Sequence, residues 1–305
     1  MTVVSLTRNG LETTWYLNKK NYLVWSGIKG GSLAKWDEDR VYIIDGKEGT
    51  GKSLFTIQQA AAIDPTILDD EGGKLLPRIC FTVEEFIDAL RNTKSDEHHT
   101  KAVIFDEGFR GFSTKAALSK ANKLITQTMM EVRQNNLAIF IVSPNVFMLD
   151  WYLVQHRGYA LFHIIKVKGS RKRYFKCYGQ AKMNQLYDLG KKKGWAYPIK
   201  TKHKDWFYAQ WPGGDDFELR YRKKKALSFR TEHKEEKDEA EGKFKQERRW
   251  FFVTLFLAMK KYKGFTQDDF VLALKQWFNI EMTRNNVGEH MDKTRKEGKM
   301  PILPE

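Results

Sequence analysis

Eight consecutive residues carry the most specific chemistry in the chain. Gly46-Lys47-Glu48-Gly49-Thr50-Gly51-Lys52-Ser53 fits the spacing G-x-x-x-x-G-K-[ST]. Glycines so placed let the backbone curl until its N–H groups converge on an anion, and the positive end of a following helix adds to the attraction. All eight residues are therefore candidate phosphate ligands. Lys52 would bridge the β- and γ-phosphates of a nucleotide, and Ser53 would give its hydroxyl to Mg2+. A plain glycine-rich turn would not explain the Lys52-Ser53 pair.

About 55 residues downstream, Ala102-Val103-Ile104-Phe105 is a wholly apolar run ending in Asp106-Glu107. Carboxylates there suit two roles: Asp106 near the metal, and Glu107 as the base that polarises an attacking water. A base supplied by the chain itself favours hydrolysis over a slow switch, and no N-K-x-D motif follows a later strand, so ATP is favoured over GTP. A third apolar run, Leu137 to Val142, ends in Ser143-Pro144-Asn145. Either Ser143 or Asn145 could touch the γ-phosphate, and a turn is the plain alternative. Transition-state charge commonly requires a further cation from a neighbouring subunit. Arg110, Arg133 and Arg157 are the candidates, Arg133 at the end of the long helix and Arg157 in Gln155-His156-Arg157-Gly158.

These residues need strands and helices to hold them. Val41 to Ile44 reads as a buried strand, followed by a helix from about Lys52 to Ile63 that Asp64-Pro65 ends. Arg78 to Phe81 reads as a strand, and Thr82 with Glu85 three residues on reads as a capping box. Lys115 to Gln134 reads as a long helix. Apolar strands alternating with helices predict a mainly parallel sheet covered on both faces. Residues 1 to about 40 read as irregular or short-strand structure.

The loop GKEGTGKS, the strand AVIFDE and the run from Gly108 to Arg157 resemble the P-loop ATPases of the FtsK–HerA group. The nearer likeness is to zonular-occludens-toxin-like and related ATPases of viruses and mobile elements. It covers about residues 38 to 168. The resemblance implies an α/β P-loop NTPase of the RecA/ASCE kind, and a homo-oligomeric ring that translocates or packages DNA.

Charge supports such a partner. The chain has 305 residues, 53 Lys+Arg and 38 Asp+Glu, for a net charge of +15. Between Lys166 and Lys225 there are 18 Lys+Arg against 5 Asp+Glu, interleaved with aromatic residues. A hairpin predicted from Ala160 to Tyr178 would present Lys166, Lys168, Arg171, Lys172, Arg173 and Lys176 to DNA backbone. A solvated hairpin, or attraction to an anionic membrane surface, is the competing reading. Two cysteines exclude a disulfide framework, and the longest apolar run, Trp250 to Met259, is too short to cross a bilayer. The N-terminus lacks a signal-peptide pattern. The expectation is a cytoplasmic protein (host cytoplasm if viral) with no stable membrane insertion.

The domain expectation is a 1–229 core, a charged linker or helix at 230–248, and a small helical unit at 249–305 of winged-helix or helix-turn-helix type. Thr266 and Thr283 would cap its last two helices, the second carrying Arg284, Asn285, Asn286, His290 and Lys293. An oligomerisation bundle would give the same pattern. The function expected is an ATP- and Mg2+-dependent DNA motor, with a capsid, relaxase or replication protein as further partner. The alternatives are a non-motor ATPase that loads or recruits a replication or recombination protein, and a nucleotide-switched DNA-binding regulator.

Overall fold

The protein is described by a computed structural model over residues 2–8, 11–106, 120–166, 173–298 and 301. The chain divides into two compact units, Met1–Phe229 and Arg230–Glu305.

In the first unit a hairpin, β1 (Thr2–Arg8) and β2 (Leu11–Leu17), leads into helix α1 (Lys19–Gly27). The sequence reading missed this helix. Its signal is the Asn18 side chain, which accepts from the Lys20 and Asn21 amides as an N-cap. Trp25 is its buried anchor, donating through its indole N–H to Gln59 Oε1 at 2.7 Å.

The central sheet runs β4 (Ile79–Cys80), β5 (Ala102–Asp106), β6 (Ala138–Val142), β3 (Arg40–Asp45), β7 (Gly158–Lys166), β8 (Arg173–Gly179), β9 (Lys204–Phe207). The first five strands pair in parallel, and β8 and β9 pair antiparallel. The apolar runs are buried on both sides, as parallel strands between helices require. Tyr42, Ile44, Ile104 and Phe140 pack on one face with Phe55, Ile57 and Ala60 of α2 (Lys52–Ile63). Val41, Ile43, Val103, Phe105 and Ile139 pack on the other with α3 (Val83–Asn92), α4 (Lys120–Glu131) and α5 (Gln180–Lys192). The expected α/β architecture is therefore present. Of the helix expected over Lys115 to Gln134, α4 covers Lys120–Glu131, and residues 132–135 tighten into a 3-10 turn; 115–119 lie outside the described residues.

Thr82 accepts from the Glu85 amide, but the Glu85 carboxylate reaches back to the Phe81 N–H instead of closing the expected reciprocal box. A buried pair, Arg78 with Asp64, ties the end of α2 to the sheet, and Asp64 also accepts from the Ala102 amide at 3.0 Å. The last strand of the unit is followed by α6 (Gly214–Lys263), whose Phe217, Tyr221, Lys224 and Ser228 form a buried stripe at helical spacing.

The second unit packs Phe252 and Phe256 of α6 against α7 (Gln267–Phe278) and α8 (Arg284–Lys296) through Phe270, Leu274 and Val287. Thr266 and Asp269 form a reciprocal capping box, and Thr283 caps α8 through the Asn286 amide. Both caps fall where the sequence puts them. Among the described residues no helix is long and apolar enough to cross a membrane.

Candidate phosphate-binding site

Parallel pairing of β5, β6, β3 and β7 brings their C-terminal ends to one edge of the sheet, the usual ligand crevice of open α/β sheets. The loop Gly46 to Ser53 leaves β3 at that edge and enters α2 directly. Gly46 has φ 141°, and a Cβ there would strike the Ile164 carbonyl of β7. Gly51 has φ 95° and begins α2 without a capping side chain, so the helix's first amides have no side-chain acceptor from that position. Lys52 folds back over the loop: its Nζ donates to the Gly46 carbonyl at 2.8 Å and the Lys47 carbonyl at 3.1 Å. Thr50 Oγ1 also donates to the Lys47 carbonyl, at 2.7 Å. The turn is thus fixed internally, with an ammonium at its mouth.

Beneath it lies Asp45, fully buried. One carboxylate oxygen faces His163 Nδ1 at 2.8 Å; the other accepts from the Val146 amide at 3.0 Å and from the Tyr197 hydroxyl. His163 belongs to β7 and Val146 follows β6, so one side chain clamps the ends of three neighbouring strands. Burial, then the charge of Asp45, pushes the Tyr197 hydroxyl far above its ordinary pKa, which keeps it a donor.

Asp106 ends β5 and is 3% exposed. Ser53 Oγ donates to its Oδ1 at 3.0 Å. Its Oδ2 accepts from the Tyr221 hydroxyl and stands 3.7 Å from Lys225 Nζ, both on α6. A hydroxyl beside a carboxylate is the oxygen donor set a hard divalent cation takes. Among the described residues no cluster of three or more His, Cys, Asp or Glu side chains forms a self-sufficient metal site. Ser53 and Asp106 could hold a cation such as Mg2+ that draws its other ligands from phosphate and water.

These groups line a cleft of about 730 Å³ that also contains Ser143, Pro144, Arg173, Trp211, Glu218 and Arg222. Of the sequence candidates, Glu48, Gly49, Gly51, Lys52, Ser53 and Asp106 meet there. Of the pair left open at the third strand end, Ser143 lines the cleft and Asn145 does not; Asn145 instead caps a short turn, its Oδ1 accepting from the Phe147 amide at 3.0 Å. Arg157 sits before β7, at the opposite sheet edge, held by Asp39 and by the Met129 carbonyl at 3.2 Å. Neither it nor Arg133, in the turn after α4, lines this chain's own cleft. Glu107 and Arg110 lie outside the described residues, as do Lys168, Arg171 and Lys172 of the hairpin.

Sequence reasoning missed Tyr221 and Lys225, and gave Arg173 to a DNA-facing hairpin. Arg173 opens β8 and lies against Gly51, where a Cβ would collide with its guanidinium. The helix stripe through Tyr221 was the available signal; Arg173 needed the strand register.

No family model and no curated protein matches the chain. Among solved structures it is similar to the N-terminal domain of zonular occludens toxin from Neisseria meningitidis. That likeness has 17% identity and a TM-score of 0.32, and covers 47% of this chain and 84% of that one. It is also similar to the genome packaging NTPase B204 of Sulfolobus turreted icosahedral virus 2. In its complex with ATP-gammaS the likeness has 12% identity and a TM-score of 0.32, covering 48% and 94% of the two chains. In its complex with sulfate the identity is 12% and the TM-score 0.33, covering 56% and 92%. At such scores the reading of this site rests on the chain's own residues.

Proposed function

We propose that this chain hydrolyses ATP in the cleft and uses the turnover to translocate or package DNA for a virus or mobile element, working as a homo-oligomeric ring. What carries the reading is the meeting of Ser53 with Asp106 at 3.0 Å, 53 positions apart in sequence, beside a lysine folded over a glycine loop. A purely structural turn needs no such convergence.

In this reading the loop amides and Lys52 bind the phosphate chain, and Lys52 exchanges the Gly46 and Lys47 carbonyls for phosphate oxygens. Ser53 and Asp106 hold Mg2+, which when bound neutralises charge on the phosphates. Ser143, 1% exposed at the end of β6, orients groups at the far side of the cleft. Glu107 supplies the base, as its position after Asp106 implies.

The DNA part rests on charge. The stretch from Lys166 to Lys225 holds 18 of the chain's 53 Lys+Arg, and within it Tyr174 of β8 is 38% exposed. Backbone phosphates would be bound there by counterion release. In the second unit, α8 exposes Arg284, Asn285 and Asn286 near its start, as a helix read into a groove would.

The test is ATP turnover with and without single- and double-stranded DNA, paired with strand displacement and particle imaging. DNA-stimulated turnover with directional movement by ring-shaped particles supports the proposal. ATP-dependent DNA binding without movement would replace the motor by a loader. Sequence-specific binding with negligible turnover would make it a regulator.

A further inference from the structure

Among the described residues, the Arg173 side chain has no partner, in a cleft whose other cations have one. Lys52 is held by loop carbonyls, Lys225 faces Asp106 at 3.7 Å, and Arg222 pairs with Glu218 at 2.5 Å. The Arg173 guanidinium, half-buried, makes no hydrogen bond or ion pair with the described residues. Burial lowers its pKa from the ordinary arginine value. A partly desolvated guanidinium gains most from an anion that offers oxygens to both arms of its fork.

Strand order explains why it stands there. β7 runs parallel to β3, so its C-terminal end reaches the edge where the loop leaves, close enough for the Ile164 carbonyl to fill the space of a Gly46 side chain. β8 returns antiparallel in the register Lys166↔Arg173. The first residue of β8 is thereby delivered to the loop, and only the missing side chain of Gly51 makes room for the guanidinium. The placement is a property of the sheet itself and holds within one chain.

We infer that Arg173 binds the phosphate chain of the nucleotide in the same subunit, as a cation supplied in cis and not by a neighbouring copy. This rests on the phosphate-loop reading and deepens it. Arg173, against Gly51, and Lys52, over the Gly46 carbonyl, both line the cleft the anion enters. The residue thus leaves the set of DNA-contacting hairpin cations and becomes a nucleotide ligand.

The experiment measures equilibrium binding of ATP-gammaS with Mg2+, and of inorganic pyrophosphate, to the full chain and to Arg173→Ala, Arg173→Lys and Lys52→Ala. Arg173→Ala is expected to weaken both ligands by about tenfold or more, the scale of a lost charged hydrogen bond. Arg173→Lys is expected to recover part of the pyrophosphate affinity, which a merely structural role would not restore. Arg173→Gln serves in the same assay if the alanine variant aggregates. Binding within twofold of wild type by the alanine or glutamine variant, with Lys52→Ala impaired, overturns the inference and leaves the loop reading standing. No binding by wild type overturns the loop reading and this inference with it.

Discussion

Two aspartates end two strands of the same sheet, and they are treated differently. Asp45, under the loop, is enclosed by His163, Tyr197 and the Val146 amide, all contributed by segments packed into the first unit. Asp106, in the cleft, meets Ser53 from the loop helix and Tyr221 and Lys225 from α6. The first carboxylate uses its lone pairs to lock three strand ends together. The second shares its lone pairs with a hydroxyl and an ammonium, the partners a metal or a phosphate can exchange for its own contacts. Equal burial therefore serves architecture in one case and ligand exchange in the other.

The comparison breaks most easily at Asp45. Asp45→Ala leaves a buried amide, a phenol and an imidazole without their acceptor, at a cost of about 3 kcal/mol. Thermal unfolding followed by circular dichroism should show the apparent Tm falling by roughly 6–12 °C. Next in size is Lys52→Ala, which should keep the melting temperature and lose nucleotide affinity on the order of 100-fold, read by calorimetric titration. Asp106→Asn keeps the shape; its amide oxygen still accepts from one of the Ser53 and Tyr221 hydroxyls, and its amide NH2 faces the other as a donor. It should lower the Mg2+-dependent part of nucleotide affinity by about tenfold with Tm within about 2 °C of wild type. If it melts as early as Asp45→Ala, the distinction between the two carboxylates fails. The smallest effect belongs to Tyr221→Phe, which removes one hydrogen bond and should cost about 1 kcal/mol in a denaturant titration.

Much of the parallel half of the molecule was legible in the sequence. Val41 to Ile44, Ala102 to Phe105 and Leu137 to Val142 are apolar throughout because both their faces are covered, and the loop chemistry is compressed into eight adjacent residues. The caps at Thr266 and Thr283 were legible for the same reason: the interaction is local. Three things were not. Helix α1 carries an aromatic-polar mixture with no clear apolar period, and Trp25 is stabilised by Gln59, 34 positions away. The cleft face of α6 lies in a run of basic residues that reads as solvated. Lys224 is nonetheless 8% exposed there and donates to the Leu76 and Ile79 carbonyls at 3.0 and 2.7 Å. Arg173 stands over a glycine 122 positions earlier through antiparallel pairing, which composition does not encode. Local chemistry is written in adjacent residues; chemistry assembled by register is not.

The central claim is that Lys52 and its loop work on a nucleoside triphosphate. Phosphate release from ATP, followed at steady state for wild type and Lys52→Ala with and without Mg2+, tests it most directly. The account predicts turnover by wild type that requires Mg2+ and disappears in Lys52→Ala. Equal turnover by both proteins, or none by wild type with Mg2+ and DNA supplied, would contradict it.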